Sequence, residues 1–427
     1  MKILLLSTND NSPGAARGAY RLHQGLQHIG VDSQMLVQTK QTDNKKVIGS
    51  LDSSGIGQVI AGARLTLGQF PLKFYPHRDR SKYSLQWLPD NIASKVAHLE
   101  PDLINLHWVC SSYLQIETLA KLNKPLVWTL RDMWAFTGGC HYSGDCDRYT
   151  SSCGACPQLK SSKNCDLSRW VWQRKAKAWK NLDLTIVALS SWLAKCAKSS
   201  SLFKDLPIKV IPNGIDTNTF KPMNKKIARE QLNLPQDKKL VFFGAARATS
   251  DKRKGFEPLQ KALQHLSKSG YQDELELVIF GGGRPDNPPD FGFKEHYLGK
   301  FSDALLLALI YSAADVFVAP SLEENLANTV MEAIACGTPC VAFDIGGMPD
   351  LIEHQQNGYL AEPYKIEDLG KGIAWVLENE ARHQKLSYRA REKVEQEFTL
   401  ETPAHRYASL FNEILEKNNL YKNHNKY

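Results

Sequence analysis

The 427-residue sequence contains no long uninterrupted apolar run, although 42% of its residues are hydrophobic. A membrane-spanning helix needs about 20 such residues in succession, so we expect a soluble globular protein. The N-terminus, MKILLLSTND, also lacks the apolar core and small-residue cleavage site of a signal peptide. We therefore predict a cytoplasmic protein whose nine cysteines are reduced.

Several recognition patterns are missing as well. The sequence has no internal repeat, no low-complexity segment and no nucleic-acid recognition motif, so we predict no nucleic-acid partner despite a net charge of +8. The loop SPGAARGAYRL (12–22) is not GxGxxG, and no acid follows where a nicotinamide ribose would be held. Gly14, just before a helix, instead suits a close approach of backbone to a phosphate or a sugar.

Strand-like and helix-like segments alternate along the chain, which predicts parallel βα units. A turn-rich segment, IPNGIDTNTFKP (211–222), interrupts the series, and the pattern restarts at a strand over 239–243. Because the chain is too long for one ordinary core, we predict an α/β protein with two doubly wound Rossmann-like domains facing a cleft. The domains would span 1–210 and 211–400, and a C-terminal helix over 401–427 would cross back to the first domain.

The segment SLEENLANTVMEAIACGTPCV (321–341) places Glu324 and Glu332 eight positions apart around the start of an apolar helix. A carboxylate in such a run is costly unless a specific partner hydrogen-bonds to it. One interpretation is structural, with Thr329 and Glu332 forming a capping box and Glu324 solvated in a loop. The alternative is a ligand site beyond the carboxyl end of a strand, where the helix start binds phosphate and the carboxylates hold hydroxyl groups. A nucleotide sugar supplies both groups.

The second domain begins VFFGAARATSDKRKGF (241–256), which places Arg247, Lys252 and Lys254 just past a strand end. Such a loop is either solvated surface or a binding site for a diphosphate. Two unit charges about 4 Å apart interact by about 4 kcal/mol at an effective dielectric constant of about 20. Cations here would therefore neutralise a departing diphosphate without a catalytic metal.

Basic residues are concentrated between Lys160 and Lys209, where eleven lysines and arginines face three acids. Within this region RWVWQRKAKAWK (169–180) adds three tryptophans. The segment is either a helix that packs its tryptophans inward or a basic aromatic face for an anionic membrane surface or a diphosphate-linked acceptor.

These motifs resemble those of the family 4 glycosyltransferases, which are retaining enzymes with the GT-B fold. The resemblance rests on the pair Glu324/Glu332, on EAIACGTP (332–339), and on the Gly14 loop, IPNGID (211–216) and RKGF (253–256) in the family's order. It covers nearly the whole chain and is most specific over residues 240–362. The stretch VWTLRDMWAFTGGCHYSGDC (127–146) is similar to members that build exopolysaccharides and capsules.

The resemblance implies roles for the matched positions. Glu332 would hold the ribose hydroxyls and Glu324 would contact the transferred sugar. Backbone amides would bind that sugar where the family usually has Gly-Phe-Gly. These amides belong to Asn325, Leu326 and Ala327. Arg247 and Lys254, or Lys252 in place of Lys254, would bind the diphosphate. The other donor-site positions are Leu298 for the base, and Asn328 and Thr329 at the helix start.

One position departs from the family pattern. The family usually has His-Asp after the fourth strand, with the histidine near the reacting sugar, whereas this sequence has Arg131-Asp132. Arginine stays protonated and cannot act as a base, although Arg131 can still hold the diphosphate or the sugar. His107 either partly fills the gap or is a histidine at the edge of the core. In a same-face mechanism the leaving phosphate itself accepts the proton, so transfer does not require the histidine.

Four cysteines, Cys140, Cys146, Cys153 and Cys156, fall within seventeen residues and end in CxxC. In a reduced compartment this spacing suggests a structural zinc site, with loose thiols or a labile disulfide as alternatives. Asp145-Cys-Asp147 mimics the DxD that holds manganese in the other large glycosyltransferase fold. We interpret it as coincidental, because the Glu324/Glu332 pair is present.

The sequence thus predicts a retaining glycosyltransferase that moves a hexose, from UDP-glucose, to a polysaccharide or lipid-linked oligosaccharide acceptor. The protein would contact the inner face of the membrane peripherally. Two other functions remain open. One is a catalytically weak nucleotide-sugar-binding protein, which Arg131 and the missing Gly-Phe-Gly motivate. The other is a UDP-sugar epimerase of the same fold, against which the Glu324/Glu332 pair argues.

Overall fold

The computed structural model describes residues 1–11, 14–51, 55–244 and 251–424. The chain divides into two compact units. The first unit contains Met1–Asn213 together with Pro403–Tyr427, and the second contains Gly214–Thr402. None of the helices in the described ranges combines the length and the apolar character needed to cross a membrane.

Seven strands form the sheet of the first unit. They are β1 (Lys2–Asn9), β2 (Asp32–Thr39), β3 (Val47–Gly49), β4 (Leu103–Leu106), β5 (Leu126–Leu130), β6 (Leu184–Ala188) and β7 (Ile208–Val210). All neighbours pair in parallel, in the order β3-β2-β1-β4-β5-β6-β7. Strands β4, β5 and β6 are buried along their whole length, because both faces of a parallel sheet are covered.

Five helices follow these strands in the first unit. They are α1 (Gly14–His28), α2 (Gly55–Gly68), α3 (Ile92–Leu99), α4 (Leu167–Ala178) and α5 (Ser191–Ser199). Short 3₁₀ segments lie at Phe70–Phe74, Ile116–Lys121 and Trp134–Phe136. Helix α4 begins where Asp166 accepts hydrogen bonds from the amides of Ser168 and Arg169, which satisfies two donors that an uncapped helix leaves open.

The second unit repeats the arrangement with six parallel strands. They are β8 (Lys239–Gly244), β9 (Leu275–Phe280), β10 (Glu295–Gly299), β11 (Val316–Ala319), β12 (Cys340–Phe343) and β13 (Gly358–Ala361). Their order is β10-β9-β8-β11-β12-β13. The helices are α6 (Lys225–Gln231), α7 (Phe256–Leu266), α8 (Ala304–Ala313), α9 (Asn328–Ala335), α10 (Met348–Leu351), α11 (Ile366–Leu377) and α12 (Glu380–Glu397).

The last helix, α13 (Glu401–His424), packs on the sheet of the first unit. Tyr407 and Phe411 are 1% and 0% exposed, and they share a core cluster with Ile3 and Leu5 of β1. The Tyr407 hydroxyl also lies 2.9 Å from Thr129 Oγ1 on β5. The C-terminal helix is therefore an integral part of the first unit.

The predicted fold class, two doubly wound α/β sheets, is confirmed. Three observed strands had no counterpart in the prediction, namely β3, β10 and β13. All three lie at the edge of a sheet. In β10 (EHYLG) all five residues are half-buried, and the sequence has no apolar run. A short, half-buried edge strand lacks the pattern by which central strands are recognised.

Candidate functional site

Three neighbouring strands of the second sheet bring the candidate ligand-binding residues to one edge. Strands β8, β11 and β12 lie side by side. Loops or turns follow their carboxyl ends, including the 3₁₀ turn Lys252–Lys254 after β8 and the loop 320–327 after β11. Parallel strands end on the same edge of a sheet, which is where doubly wound folds bind ligands.

Glu324 forms the central ion pair of this edge. Its Oε2 accepts a hydrogen bond from Lys254 Nζ at 2.5 Å and lies 3.5 Å from Arg253 Nη1. Burial alone would raise the pKa of Glu324, but Lys254 and Arg253 hold that pKa below its usual value. The carboxylate is therefore ionised at neutral pH. Lys254 is the lysine beside it, whereas Lys252 is exposed.

Two glycines allow the loops at this edge to touch. Gly255 has a φ of +75°, and a Cβ there would lie 1.7 Å from the carbonyl oxygen of Pro320. Gly346 has a φ of +54°, and a Cβ there would lie 2.0 Å from the carbonyl oxygen of Glu324. Any larger residue at either position would displace the loop that carries Glu324. This close contact explains why the RKGF motif has glycine at position 255.

Glu332 lies on the inner side of α9 and is 1% exposed. Its Oε2 accepts a hydrogen bond from the hydroxyl of Tyr311 at 3.1 Å. The helix begins at Asn328 with Ala327 as its N-cap, so Glu332 lies beyond the N3 position that a capping box requires. The structural interpretation, in which Thr329 and Glu332 form a capping box, is therefore wrong.

The start of α9 has the form of an anion-binding site. Ala327, its N-cap residue, has no side-chain acceptor that could cap the first amides. A helix start also carries the positive end of the helix dipole. The residues leading into it, Asn325, Leu326 and Ala327, are 2%, 6% and 5% exposed. Asn328 follows in the first turn and is half-buried.

Arg131 joins three predicted motifs in the first unit. Its Nη1 donates to Asn213 Oδ1 at 2.5 Å and its Nη2 lies 2.9 Å from His107 Nδ1. A Cβ on Gly18 of α1 would lie 2.5 Å from Nη1, so a larger residue there would have to displace the guanidinium. Burial lowers the pKa of Arg131 to about 10, and Tyr407 partly offsets this. Arg131 is therefore charged at neutral pH and held in a fixed position.

His107 is neutral and supports the guanidinium. Burial, and then the charge of Arg131, hold the pKa of His107 well below its usual value. His107 Nδ1 therefore accepts the hydrogen bond from Arg131. His107 is only 2% exposed. Its role is therefore to position Arg131, because it has almost no solvent-accessible surface.

Asp132 takes part in a second buried network that the sequence analysis missed. Its Oδ2 accepts from His141 Nδ1 at 2.6 Å and from Trp108 Nε1 at 2.9 Å. His141 Nε2 in turn lies 2.9 Å from Ser84 Oγ. Burial alone would raise the pKa of Asp132, but His141 lowers it, and burial lowers the pKa of His141 although Asp132 partly offsets this. An ionised Asp132 thus orients a neutral His141.

Two family models match this chain, and together they cover most of it. The model described as Glycosyltransferase Family 4 matches residues 13–219, and the model described as Glycosyl transferases group 1 matches residues 224–393. The chain therefore belongs to the glycosyltransferase family that these two models describe, family 4. The Glu324 edge lies within the second matched region and the Arg131 network within the first.

Curated relatives of this glycosyltransferase match over part of their length. D-inositol 3-phosphate glycosyltransferase of Xylanimonas cellulosilytica is 32% identical over 43% of this chain and 46% of its own. N-acetyl-alpha-D-glucosaminyl L-malate synthase of Bacillus anthracis is 29% identical over 49% of this chain and 54% of its own. The chain thus spans about half the length of the curated relatives it matches.

Solved structures match over nearly the full chain. Sucrose-phosphate synthase of Thermosynechococcus elongatus has a TM-score of 0.68 and 20% identity, covering 98% of this chain and 100% of that one. Anabaena Alr3699/HepE in complex with UDP and glucose has a TM-score of 0.63 and 18% identity, covering 96% and 99%. These likenesses show that the glycosyltransferase has the GT-B fold.

The remaining donor-site predictions lie on other described elements or outside the described residues. Leu298 lies on β10, which is separated from β11 by β9 and β8. Thr329 lies in the first turn of α9 and is half-buried. Gly14 begins α1 in the first unit. Arg247 lies outside the described residues.

The three tryptophans of residues 169–180 differ in burial, because Trp179 is buried, Trp172 is half-buried and Trp170 is 39% exposed. Trp179 is 8% exposed and donates to the carbonyl oxygen of Ile116. Lys175 is fully buried, donates to the carbonyl oxygens of Trp134 and Thr137, and has a pKa that burial lowers to about 7. The structure therefore supports the inward-packing interpretation for Trp179, and for Trp172 in part, whereas Trp170 stays at the surface beneath the guanidinium of Arg174.

The expected zinc site has no metal-holding geometry. Within the described ranges, which include Cys140, Cys146, Cys153 and Cys156, no group of three or more histidine, cysteine or acidic side chains could hold a metal ion. All four cysteines are free. Burial raises the pKa of Cys140, Cys153 and Cys156, and the pKa of Cys153 reaches about 11. The described residues therefore agree with loose thiols.

Proposed function

We propose that this chain is a retaining glycosyltransferase that transfers glucose from UDP-glucose to a polysaccharide or lipid-linked oligosaccharide. The observation that carries the proposal is Glu324, which is buried and ionised beside Lys254 at the start of α9. A buried carboxylate next to a lysine and a helix start is suited to a ligand that has both hydroxyl groups and a diphosphate.

The donor would occupy the second unit. Lys254 and the first amides of α9 would bind the diphosphate, and their positive charge would stabilise the leaving UDP. Glu332 would hold the ribose hydroxyls, and Glu324 would hold the hydroxyls of the transferred glucose. Backbone from Asn325 to Ala327 would line the sugar. Arg247 and Leu298 remain predicted contacts of the diphosphate and the base.

The first unit would bind the acceptor, with Arg131 at the position of the family histidine. Arg131 is charged and tied to Asn213 and His107, so it can hold an anionic group but cannot accept a proton. In a same-face transfer, the leaving phosphate oxygen would take the proton from the acceptor hydroxyl. No side-chain base is then required.

Two solved neighbours support the choice of donor. Anabaena Alr3699/HepE has been solved with UDP and with UDP-glucose. The two curated relatives above are a D-inositol 3-phosphate glycosyltransferase and an N-acetyl-alpha-D-glucosaminyl L-malate synthase. Neither is named for a polysaccharide, so the proposed polysaccharide acceptor rests on the resemblance of residues 127–146.

A second candidate is a nucleotide-sugar-binding protein without transfer activity. The observation that favours it is Arg131, whose guanidinium is already bound by Asn213 and His107. Such a protein would bind UDP-glucose as tightly as an enzyme but release no UDP, with or without acceptor.

A thermal-shift screen tests the donor site. We expect UDP and UDP-glucose to raise the melting temperature, because a ligand at 100 times its Kd adds about 2.7 kcal/mol to the unfolding free energy. GDP and GDP-mannose should produce no shift. Lys254→Ala should abolish the UDP shift, whereas Lys252→Ala, the matched control on the exposed neighbour, should retain it.

Two results would contradict the proposal. The absence of any UDP-induced shift in the wild type would exclude the donor site, and an equal loss in both lysine variants would exclude the assignment of Lys254. UDP binding without UDP release from UDP-glucose would favour the binding protein.

A further inference from the structure

Helix α2 and the 3₁₀ segment after it expose an unusual concentration of apolar side chains. Elsewhere in the described chain, large apolar side chains that are more than a third exposed occur singly. Here six lie within sixteen residues. They are Val59 (71% exposed), Ile60 (42%), Leu65 (40%), Leu67 (56%), Phe70 (50%) and Phe74 (75%). We call these six side chains the apolar surface.

The apolar surface is held firmly from behind. Arg64 donates to the carbonyl oxygens of Ser112 and Pro89 at 2.9 Å. The carbonyl oxygen of Gly68 accepts from Trp87 Nε1 at 3.0 Å, and a Cβ on Gly68 would lie 1.9 Å from Ser112 Oγ. Leu72 is 3% exposed. The rear of α2 is therefore tied to the first unit at Arg64 and Gly68, while Val59, Ile60 and Leu67, which lie within about 100° of one another around the helix, face solvent.

The segment that carries the apolar surface has charged side chains of one sign. No acid occurs between Asp52 and Asp79. Lys73 and Arg80 are exposed, and Lys73 Nζ lies 5.6 Å from the ring centre of Phe70. Asp79, the acid that ends this stretch, lies 3.4 Å from Lys160. Apolar and aromatic side chains flanked by lysine and arginine match the surface of an anionic bilayer, which attracts cations and takes up apolar groups.

We propose that the apolar surface docks the first unit on an anionic lipid bilayer. Phe70, Phe74, Val59 and Leu67 would enter the acyl boundary, and Lys73 and Arg80 would contact lipid phosphates. A second copy of the chain fits less well. In a two-fold dimer the same patch would form both sides of the interface, so lysine and arginine would flank it from both copies and no acid of residues 53–78 would pair with them.

This docking is independent of sugar transfer, and it assigns the membrane contact to residues 59–80. Residues 169–180, the other candidate for this contact, bury Lys175 and Trp179 and expose one large apolar side chain, Trp170.

Sedimentation of the full-length protein with vesicles tests the proposal. The protein should bind vesicles of phosphatidylglycerol mixed with phosphatidylcholine, and bind pure phosphatidylcholine at least about tenfold more weakly. Phe70→Ser with Phe74→Ser should reduce the partition coefficient at least about 30-fold. Lys73→Gln with Arg80→Gln should reduce it about tenfold and weaken its dependence on salt.

The matched control is Leu305→Ser with Tyr388→Ser, two side chains that are 61% and 66% exposed in the second unit. This pair should bind vesicles like the wild type, and all variants should retain the UDP-induced thermal shift. Equal loss in the control pair, or equal binding to neutral and anionic vesicles, would overturn the proposal. So would a dimer in light scattering that the phenylalanine pair dissociates, combined with no vesicle binding by the wild type.

Discussion

Replacing Glu324 with glutamine is expected to lower the rate of UDP release from UDP-glucose by about 100-fold or more. In our account the carboxylate holds the sugar hydroxyls during transfer, and an amide of the same shape supplies neither the charge nor two acceptor oxygens. The affinity for UDP should change little, because UDP lacks the sugar and Lys254 remains to bind the diphosphate. Turnover measured beside UDP titration separates the two effects.

Glu323→Gln is the matched control for this variant. Glu323 precedes Glu324, and its contact with Arg253 Nη1 is made by the backbone carbonyl oxygen, which the substitution retains. The control should therefore keep wild-type turnover. A Glu324→Gln enzyme with normal turnover would remove Glu324 from the site. A large loss of UDP affinity would mean that the ion pair with Lys254 organises the diphosphate contacts instead.

Gly255→Ala is expected to lower the free energy of unfolding by at least about 3 kcal/mol. Its Cβ would lie 1.7 Å from a backbone carbonyl oxygen, that of Pro320, at a φ of +75°. If the loop moves to relieve the contact, Glu324 and Lys254 move with it. UDP affinity should then fall about tenfold or more. Denaturant unfolding and UDP titration measure the two quantities.

Gly270→Ala is the control that separates the cost of a positive φ from the cost of a steric clash. Gly270 has a φ of +98°, and no atom lies within 4 Å of a Cβ placed there. This variant should therefore lose only about 1 kcal/mol and bind UDP normally. If both glycine variants behaved alike, the close packing of the RKGF turn against the Pro320 loop would not matter to the site.

The sequence predicted the two sheets and the Glu324 edge because both depend on local order along the chain. A buried strand, a loop and a helix start follow one another in 315–335, and parallel strands bring such loops to one edge. The spacing of Glu324 and Glu332 reports this order directly. The sequence did not predict which lysine lies beside Glu324, because the position of that lysine depends on the turn at 252–255 and on the positive φ of Gly255.

The sequence did not predict features that depend on distant contacts. His141 is nine residues from Asp132, and only the path of the intervening loop brings Nδ1 to the carboxylate. Lys175 looks like a solvated residue but is buried, because the carbonyl oxygens of Trp134 and Thr137 receive its ammonium group. Helix α2 was also missed, because Leu65 lies away from the stripe formed by Val59, Ile60 and Leu67, so the helical periodicity is weak.

A crystal structure of the protein with UDP-glucose tests the central claim most directly. The account predicts the diphosphate within hydrogen-bonding distance of Lys254 Nζ and the first amides of α9, the ribose on Glu332 and the glucose on Glu324. A donor bound with its diphosphate away from Lys254 and α9, or with neither glutamate on a hydroxyl group, would contradict it.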